Sequence, residues 1–167
     1  MIKMIVCTDI KGGIGFNNDL LYNIKEDMQF FKDTTTGHKI VMGYNTWVSL
    51  PKKPLPNRDN YILYNGDEHI EESENVHVIK NLFQVAKLGL DEDIFIIGGA
   101  QLYNDMIQYD LIDEAYVTMV VDINYSADKF IQLYKLGECL PKREMIKKIV
   151  FNHYYTELEA YIFKYTK

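Results

Sequence analysis

Short runs of apolar, β-branched and aromatic residues recur along the chain, and each run is bounded by polar residues, glycine or proline. This pattern predicts β-strands. The predicted strands cover residues 2–8, 39–43, 60–64, 76–79, 94–97, 115–121, 149–155 and 160–165. The last two runs lie close enough in sequence to form an antiparallel hairpin.

Between these runs the apolar positions recur every three or four residues, which predicts helices. The predicted helices cover residues 24–36, 81–88 and 100–108, with a short one at 45–50. Strands that alternate with helices indicate an α/β protein. We therefore predict one domain over residues 1–167 with an eight-stranded, mostly parallel mixed sheet, an antiparallel C-terminal edge hairpin and about four flanking helices.

Composition narrows the class of protein. A chain of 167 residues with 47% hydrophobic content is long enough to bury a substantial core. No apolar run approaches the roughly 18 residues that span a bilayer, and the first run lacks the cleavage site of an export signal. A net charge of −6 disfavours binding to nucleic-acid phosphates. We expect a cytoplasmic monomer without nucleic-acid or membrane partners.

The chain contains two cysteines, Cys7 and Cys139, which are far apart and belong to no Cys-x-x-Cys pair. This spacing argues against a metal site, a redox motif or a disulfide framework, and it fits a reducing compartment. We therefore expect no metal.

Asp27 occupies an unusual place in the first predicted helix. On a helical wheel it falls between Phe30 and Phe31 on the apolar side, whereas Glu26 and Asp33 point to the opposite side. An ionised carboxylate in an apolar setting is costly unless it has a hydrogen-bonding partner. Asp27 is therefore either an edge residue that contacts solvent or a backbone amide, or a binding group for a ligand with adjacent N–H donors.

Three glycine-containing segments follow predicted strands. Gly98-Gly99 leads into a helix, so backbone N–H groups there could meet a phosphate, although the third glycine of a Rossmann fingerprint is missing. Gly43 stands at a second strand-to-helix junction, and two such junctions could clasp a dinucleotide from both sides. Residues 11–15 are predicted to be a flexible loop, either a lid or an ordinary turn. The acidic residues 65–75 are predicted to be a solvated loop.

Taken in order, these features and several others span the chain from the first strand to the final hairpin. They are carried by Ile14, Gly15, Asn18, Asp27, Phe31, Lys32, Met42, Gly43, Thr46, Trp47, Pro54, Leu55, Pro56, Arg58, Ile97, Gly98, Gly99, Tyr103, Thr118, Ala127 and Asp128. The ordered set resembles the dihydrofolate reductases. The resemblance implies reduction of 7,8-dihydrofolate to tetrahydrofolate by hydride transfer from NADPH, for one-carbon and thymidylate metabolism.

The resemblance also implies roles for individual residues. Asp27 would hydrogen-bond the pteridine ring. Thr118 would support Asp27 through its hydroxyl and an ordered water. Tyr22 would place its polar hydroxyl beside the lid. Arg58 would clamp the glutamate carboxylate of the substrate. The full substrate-binding set is Ile5, Val6, Cys7, Asp27, Met28, Phe31, Lys32, Leu50, Leu55, Arg58, Ile97, Tyr103 and Thr118.

The cofactor groove implied by the resemblance uses residues that follow several different strands, and the Gly98-Gly99 peptide is expected to be cis. The cofactor-binding set is Cys7, Ile14, Gly15, Asn18, Leu20, Gly43, Tyr44, Asn45, Thr46, Leu63, Tyr64, Asn65, Lys80, Ile97, Gly98, Gly99, Ala100, Gln101, Leu102 and Tyr103.

The chain departs from the family pattern where the cofactor phosphates are expected. Tyr44 and Gln101 stand where many relatives carry Arg, Tyr64-Asn65 replaces a pair of small hydroxyl residues, and Lys80 could compensate in part. The acids Asp67 and Glu68 would repel a 2′-phosphate and suit bare ribose hydroxyls, so use of NADH is a second hypothesis beside NADPH.

Two other functions fit part of the pattern. The related reductase of riboflavin synthesis shares the fold and the cofactor groove, but Asp27 and Arg58 argue against it. A folate- or nucleotide-binding assembly protein with little turnover would explain the thin phosphate contacts. Intact Asp27, Thr118 and Gly98-Gly99 favour the enzyme, because a scaffold needs no inward-facing acid beside a cofactor groove.

Overall fold

The computed structural model describes residues 1–167 as two β-sheets and five helices. The strands are β1 (Ile2–Thr8), β2 (Gly13–Phe16), β3 (Asp19–Leu20), β4 (Lys39–Gly43), β5 (Asp59–Leu63), β6 (Val76–Ile79), β7 (Ile94–Gly98), β8 (Glu114–Val120), β9 (Lys129–Phe130), β10 (Lys142–His153) and β11 (Thr156–Thr166). The helices are α1 (Lys25–Thr35), α2 (Tyr44–Ser49), α3 (Leu82–Asp91), α4 (Ala100–Gln108) and α5 (Leu133–Cys139).

The larger sheet has eight strands in the order β10-β11-β8-β1-β7-β4-β5-β6. The six strands from β8 to β6 are parallel, whereas β11 runs antiparallel to β8 and pairs with β10 as the edge hairpin. The predicted fold class is therefore confirmed. None of the helices is both long and apolar enough to span a membrane.

The two faces of this sheet carry separate hydrophobic clusters. Side chains alternate along β1, so Met4 and Val6 pack with α3, α4 and α5 on one face, while Ile5 packs with α1 and α2 on the other. Central strands covered on both faces read as nearly continuous apolar runs, which is why their positions were predictable.

The sequence prediction missed helix α5 and strands β2, β3 and β9, and it placed the starts of β10 and β11 too late. The helix α5 was not predicted, because it is short and only Leu136 of its residues is buried. Strand β10 begins at Lys142, seven residues earlier than the predicted start at residue 149. Its first seven residues are exposed, and a register shift lies between Met145 and Lys147, so the segment shows no alternation of buried and exposed positions.

The prediction of a loop at residues 11–15 is wrong for residues 13–15, whereas Lys11 and Gly12 lie in the turn before them. Gly13–Phe16 forms strand β2, which pairs with β3 and β9 in a separate three-stranded sheet. A Cβ atom on Gly12, whose φ is +85°, would lie 2.5 Å from the carbonyl oxygen of Ile131. The glycine here permits a close approach of two backbone segments rather than mobility. Residues 65–75, in contrast, form the predicted exposed loop.

Candidate active site

Asp27 lies in the first turn of α1, where that helix packs over the neighbouring strands β1 and β8. The hydroxyl of Thr118 donates a hydrogen bond of 2.5 Å to Asp27 Oδ1. Cys7 pairs with Thr118 in the register of β1 and β8, and its thiol lies beside the same carboxylate. The carboxylate therefore points into the fold, as its place on the helical wheel indicated.

The surroundings of Asp27 shift its acidity. Burial raises the pKa of Asp27 above its ordinary value, although hydrogen bonds from Thr118 and Cys7 work in the opposite direction. No Lys, Arg or His forms an ion pair with Asp27. Burial and the nearby carboxylate raise the pKa of the Cys7 thiol well above its usual range, so Cys7 stays a neutral thiol. The site thus holds an acid without a cationic partner.

Much of the predicted substrate-binding set shares one hydrophobic cluster. The five apolar residues of the set that belong to this cluster are Ile5, Phe31, Leu50, Leu55 and Ile97. Met28 and Lys32 of the same set lie exposed on α1, with Met28 55% exposed.

The side chain of Val6 departs from this arrangement, because it packs in the core on the opposite face of the sheet. Alternation along β1 explains the difference: Ile5 and Cys7 face Asp27, and Val6 between them faces away. Only the backbone of Val6 remains available to a ligand.

Arg58 is buried without any acidic partner. Its side chain is 7% exposed, its Nε donates to the carbonyl oxygen of Pro56 over 2.9 Å, and its Nη1 donates to the Thr35 hydroxyl over 3.1 Å. Its guanidinium carbon lies 5.9 Å from the centre of the Phe31 ring, and burial lowers its pKa. Both acceptors are neutral, so the guanidinium retains N–H donors that suit a carboxylate from outside the chain.

Tyr22 is buried, and its hydroxyl is engaged. It donates a 2.8 Å hydrogen bond to Asp122 Oδ2, and its ring packs edge-on against Phe151 and His153. Burial and the Asp122 carboxylate raise the pKa of Tyr22, which keeps the hydroxyl protonated. The Tyr22 hydroxyl, which was expected beside the lid, thus points to the segment that follows β8.

Asp9 is a buried acid that the sequence analysis did not identify. It is 1% exposed and accepts hydrogen bonds from the backbone N–H groups of Lys11, Gly13 and Asn124. These bonds connect the turn before β2 to the segment after β8. An aspartate between a buried strand and a glycine pair was the available signal, since such residues cap turns with their side chains.

The two strand-to-helix junctions meet at neighbouring strands. The Gly98–Gly99 peptide is cis, as expected. A Cβ atom on Gly43 would lie 3.8 Å from the Gly99 nitrogen, and one on Gly98 would lie 3.1 Å from Thr46 Oγ1. The Tyr103 hydroxyl donates to the Ile5 carbonyl over 2.7 Å, which ties α4 to β1. Glycine backbone, which carries no side chains, therefore lines the carboxyl ends of the neighbouring strands β4 and β7.

Other residues of the predicted cofactor set lie around these junctions. Asn18 and Asn45 line one cleft of about 350 Å³ between the turn after β2 and α2. Leu20 is 66% exposed on β3. Ile14 and Leu63 are half-buried against the main core, and Leu102 is buried within it, so the side chain of Leu102 does not face a groove.

Four residues of the cofactor set form two contacting pairs beyond Gly43. The rings of Tyr44 and Tyr64 are stacked with centroids 4.2 Å apart, and Asn65 Nδ2 donates to the Lys80 carbonyl over 2.6 Å. Gln101 instead donates to Asp105 Oδ1 over 2.9 Å, within its own helix. No group of three or more His, Cys, Asp or Glu side chains is arranged to hold a metal ion.

The chain matches a family described as "Dihydrofolate reductase" over residues 1–153. It is 36% identical over 159 residues to a protein of Ureaplasma parvum named dihydrofolate reductase. These residues are 95% of this chain and 99% of that protein. A protein of the same name from Staphylococcus aureus is 34% identical over 134 residues, which are 80% of this chain and 79% of the relative.

A solved structure agrees with these matches at the level of the fold. It is described as dihydrofolate reductase from Enterococcus faecalis complexed with NADP(H) and RAB-propyl, and it superposes with a TM-score of 0.74 at 23% identity. The superposition covers 99% of this chain and 95% of that one. By its family match and by relatives above 30% identity over 79–99% of their length, this chain belongs to the dihydrofolate reductase family.

Proposed function

We propose that the chain reduces 7,8-dihydrofolate to 5,6,7,8-tetrahydrofolate with NADPH as the hydride donor, at a site centred on Asp27. The observation that carries this proposal is the partly buried carboxylate, which has a hydroxyl donor in Thr118 and no cationic partner. Cys7, whose thiol lies beside this carboxylate, is on β1, and β1 is the neighbour of β7, which leads into the Gly98–Gly99 junction. An acid over β1 and a glycine junction at the end of β7 fit a reductase of a polar heterocycle.

Asp27 recognises the pterin in this proposal. A carboxylate with two oxygens accepts a pair of parallel hydrogen bonds from an amino group and an adjacent ring N–H. The hydroxyl of Thr118 holds one oxygen in place, so the carboxylate is oriented before the substrate arrives. Its negative charge in a buried site favours the protonated form of the ring nitrogen next to the carbon that receives hydride. Water carries that proton, since Asp27 acts here by hydrogen bonding to the other side of the ring.

The rest of the substrate follows the apolar wall to Arg58. Phe31, Leu50 and Leu55 form an apolar surface for the benzoyl group. Beyond them the buried guanidinium of Arg58, whose neighbours are neutral, binds the α-carboxylate of the glutamate.

NADPH fits the groove at Gly43 and Gly98–Gly99. The absence of side chains there leaves backbone N–H groups at the starts of α2 and α4 free to approach a pyrophosphate. When bound, the cofactor supplies the hydride. The protein's own contribution is to hold the two rings together and exclude water, and alignment of this kind can lower a barrier by about 7–11 kcal/mol.

The first experiment measures the loss of reduced-nicotinamide absorbance when the protein meets 7,8-dihydrofolate and NADPH. The Asp27→Asn variant should fold and lose most turnover, by roughly 100-fold or more. Asp33→Asn is the matched control, because Asp33 is an exposed acid on the same helix that pairs only with Gln29.

Two other results would overturn the proposal. Folate binding without turnover would favour the assembly protein. Turnover of a ribosylated aminopyrimidine in place of dihydrofolate would favour the riboflavin-pathway reductase.

A further inference from the structure

Two aromatic residues, Tyr44 and Tyr64, lie at the ends of the two strands beside the Gly43 junction. Tyr44 follows β4 and Tyr64 follows β5, two neighbouring parallel strands. Their rings are stacked with centroids 4.2 Å apart and an interplanar angle of 20°, and both side chains are partly exposed. The stacked, partly exposed rings of Tyr44 and Tyr64 form an aromatic surface, which is called the platform below.

Contacts with the following loop hold the Tyr64 ring in place. The Tyr64 hydroxyl accepts a hydrogen bond of 2.9 Å from the backbone N–H of Glu68. The hydroxyl end of the ring also packs closely against Gly66, because a Cβ atom on Gly66 would be only 2.1 Å from the Tyr64 hydroxyl oxygen. The backbone N–H of Tyr64 donates to Ile79 over 3.0 Å. The platform is therefore built into the loop rather than formed by chance contact.

The strand order places this platform on the path of a dinucleotide. The strands β7, β4, β5 and β6 are consecutive neighbours, and with about 4.8 Å between strands they span about 14 Å. Ligands of open α/β sheets bind outside the carboxyl ends of the strands. A pyrophosphate at Gly43 and Gly98–Gly99 leaves one nucleoside directed towards Asp27 and the other towards β5 and β6, where the tyrosines lie.

The charges at this end of the groove are unfavourable for a phosphate. Among residues 43–46, 63–68, 80–81 and 98–101 the only cation is Lys80, which is exposed and forms no salt bridge. The acids Asp67 and Glu68 lie in the same loop, and Glu68 is close enough to Tyr44 to contribute to the raised pKa of its phenol. The amide of Gln101 is turned to Asp105.

We propose that the Tyr44–Tyr64 pair is the specificity-determining element of the cofactor groove, which binds the adenosine end by stacking and discriminates little between NADPH and NADH. This inference rests on the proposed function. Each charge-assisted hydrogen bond to a 2′-phosphate contributes roughly 10- to 100-fold in affinity, and the groove offers one cation against two carboxylates. The stacked rings bind adenine equally well in either cofactor, since the adenine is the same.

The test compares kcat/KM for the two cofactors in wild-type protein and in three variants. In the wild type the two values should agree within about 10-fold. Tyr44→Arg adds a cation beside the expected phosphate and should raise the NADPH-to-NADH ratio about 10-fold or more, through the KM for NADPH with little change in kcat. Tyr64→Ala removes half of the stack and should raise the KM for both cofactors by a similar factor.

Tyr155→Arg is the matched control for added positive charge. Tyr155 is fully exposed in the turn between β10 and β11, at the edge of the sheet opposite to β6. This variant should leave the ratio unchanged. If Tyr155→Arg shifted the ratio as much as Tyr44→Arg, net charge rather than the local site would set selectivity, and the inference would be wrong.

Binding of NADPH and NADH, measured by fluorescence titration without substrate, separates this inference from the proposed function. Failure of dihydrofolate turnover with both cofactors would contradict the proposed function alone. The ratio of the dissociation constants for NADPH and NADH would still test the tyrosine pair. A wild-type preference for NADPH above roughly 100-fold, by turnover or by binding, would overturn the inference. A Tyr64→Ala variant that binds both cofactors as tightly as the wild type would do the same.

Discussion

Thr118 and Asp27 are 91 residues apart in the chain and are joined by a hydrogen bond of 2.5 Å from hydroxyl to carboxylate. The bond connects β8 to the first turn of α1, and it depends on the register that sets Thr118 opposite Cys7. The geometry of the acid is therefore determined by a strand that lies far from it in sequence.

Replacing Thr118 by valine should weaken catalysis without a change in side-chain shape. A hydrogen bond to a charged group contributes about 1.5–3 kcal/mol, so kcat/KM for dihydrofolate should fall roughly 10- to 100-fold. Because this hydrogen bond lowers the pKa of Asp27, its loss should move that pKa further up. The acid limb of the pH–rate profile should then shift to higher pH. Thr118→Ser keeps the hydroxyl and serves as the control, and an unchanged valine profile would contradict the assigned role.

Asp27 should reduce the stability of the folded chain at neutral pH. Burial raises its pKa in the folded state above the unfolded value. Its contribution to folding is therefore fully present below the unfolded pKa and is lost as pH rises through the folded pKa. Asp27→Asn should be more stable than the wild type at neutral pH, with the difference shrinking towards acidic pH. Urea denaturation at several pH values measures this, with Asp33→Asn as the exposed control. Equal midpoints for Asp27→Asn and the wild type at neutral pH would refute it.

Arg58→Lys should affect the substrate tail and leave the pterin chemistry intact. A lysine keeps the charge but lacks the planar guanidinium group, which forms two parallel hydrogen bonds with a carboxylate. The KM for dihydrofolate should rise roughly 10- to 100-fold while kcat changes little. A dihydropterin without the benzoylglutamate tail gives the comparison, and its kinetic constants should be unaffected. Equal losses with both substrates would instead indicate that Arg58 acts through its contacts with Thr35 and Pro56.

Tyr22→Phe should act through Asp122. The variant removes the donor of the 2.8 Å hydrogen bond and leaves a carboxylate oxygen without its partner. We expect the free energy of unfolding to fall by about 1–2 kcal/mol. Because the hydroxyl is already engaged, kcat should fall by less than about 10-fold, and Asp122→Asn should have a similar effect. A large loss of kcat in Tyr22→Phe alone would assign the tyrosine hydroxyl a direct catalytic role.

The substrate-binding set illustrates how much the sequence could predict. Ile5, Phe31, Leu50 and Leu55 were expected in this set, and they share a cluster. Val6 was expected with them, yet the alternation of β1 turns its side chain to the other face. The resemblance to a family placed the segment, whereas the pleat of the strand decided which side chains face Asp27.

The glycine segment illustrates the opposite case. Residues 11–15 carry no alternation of apolar and polar positions, so a loop was the natural prediction. Strand β2 forms because it pairs with Lys129–Phe130, more than a hundred residues later, and because Asp9 holds the turn before it. A short strand whose partner is distant has no local signal, since its hydrogen bonds exist only after the chain has folded.

The sequence by itself determined the central strands, four of the five helices, the inward placement of Asp27 and the two glycine junctions. These follow from local periodicity and backbone freedom, which are properties of neighbouring residues. The family resemblance paired Thr118 with Asp27, but only the tertiary structure decided that their hydrogen bond is direct, that Cys7 meets Asp27, that Tyr22 binds Asp122 and that Tyr44 stacks on Tyr64. Those contacts join residues remote in the chain, and their geometry depends on strand order and register rather than on any local pattern.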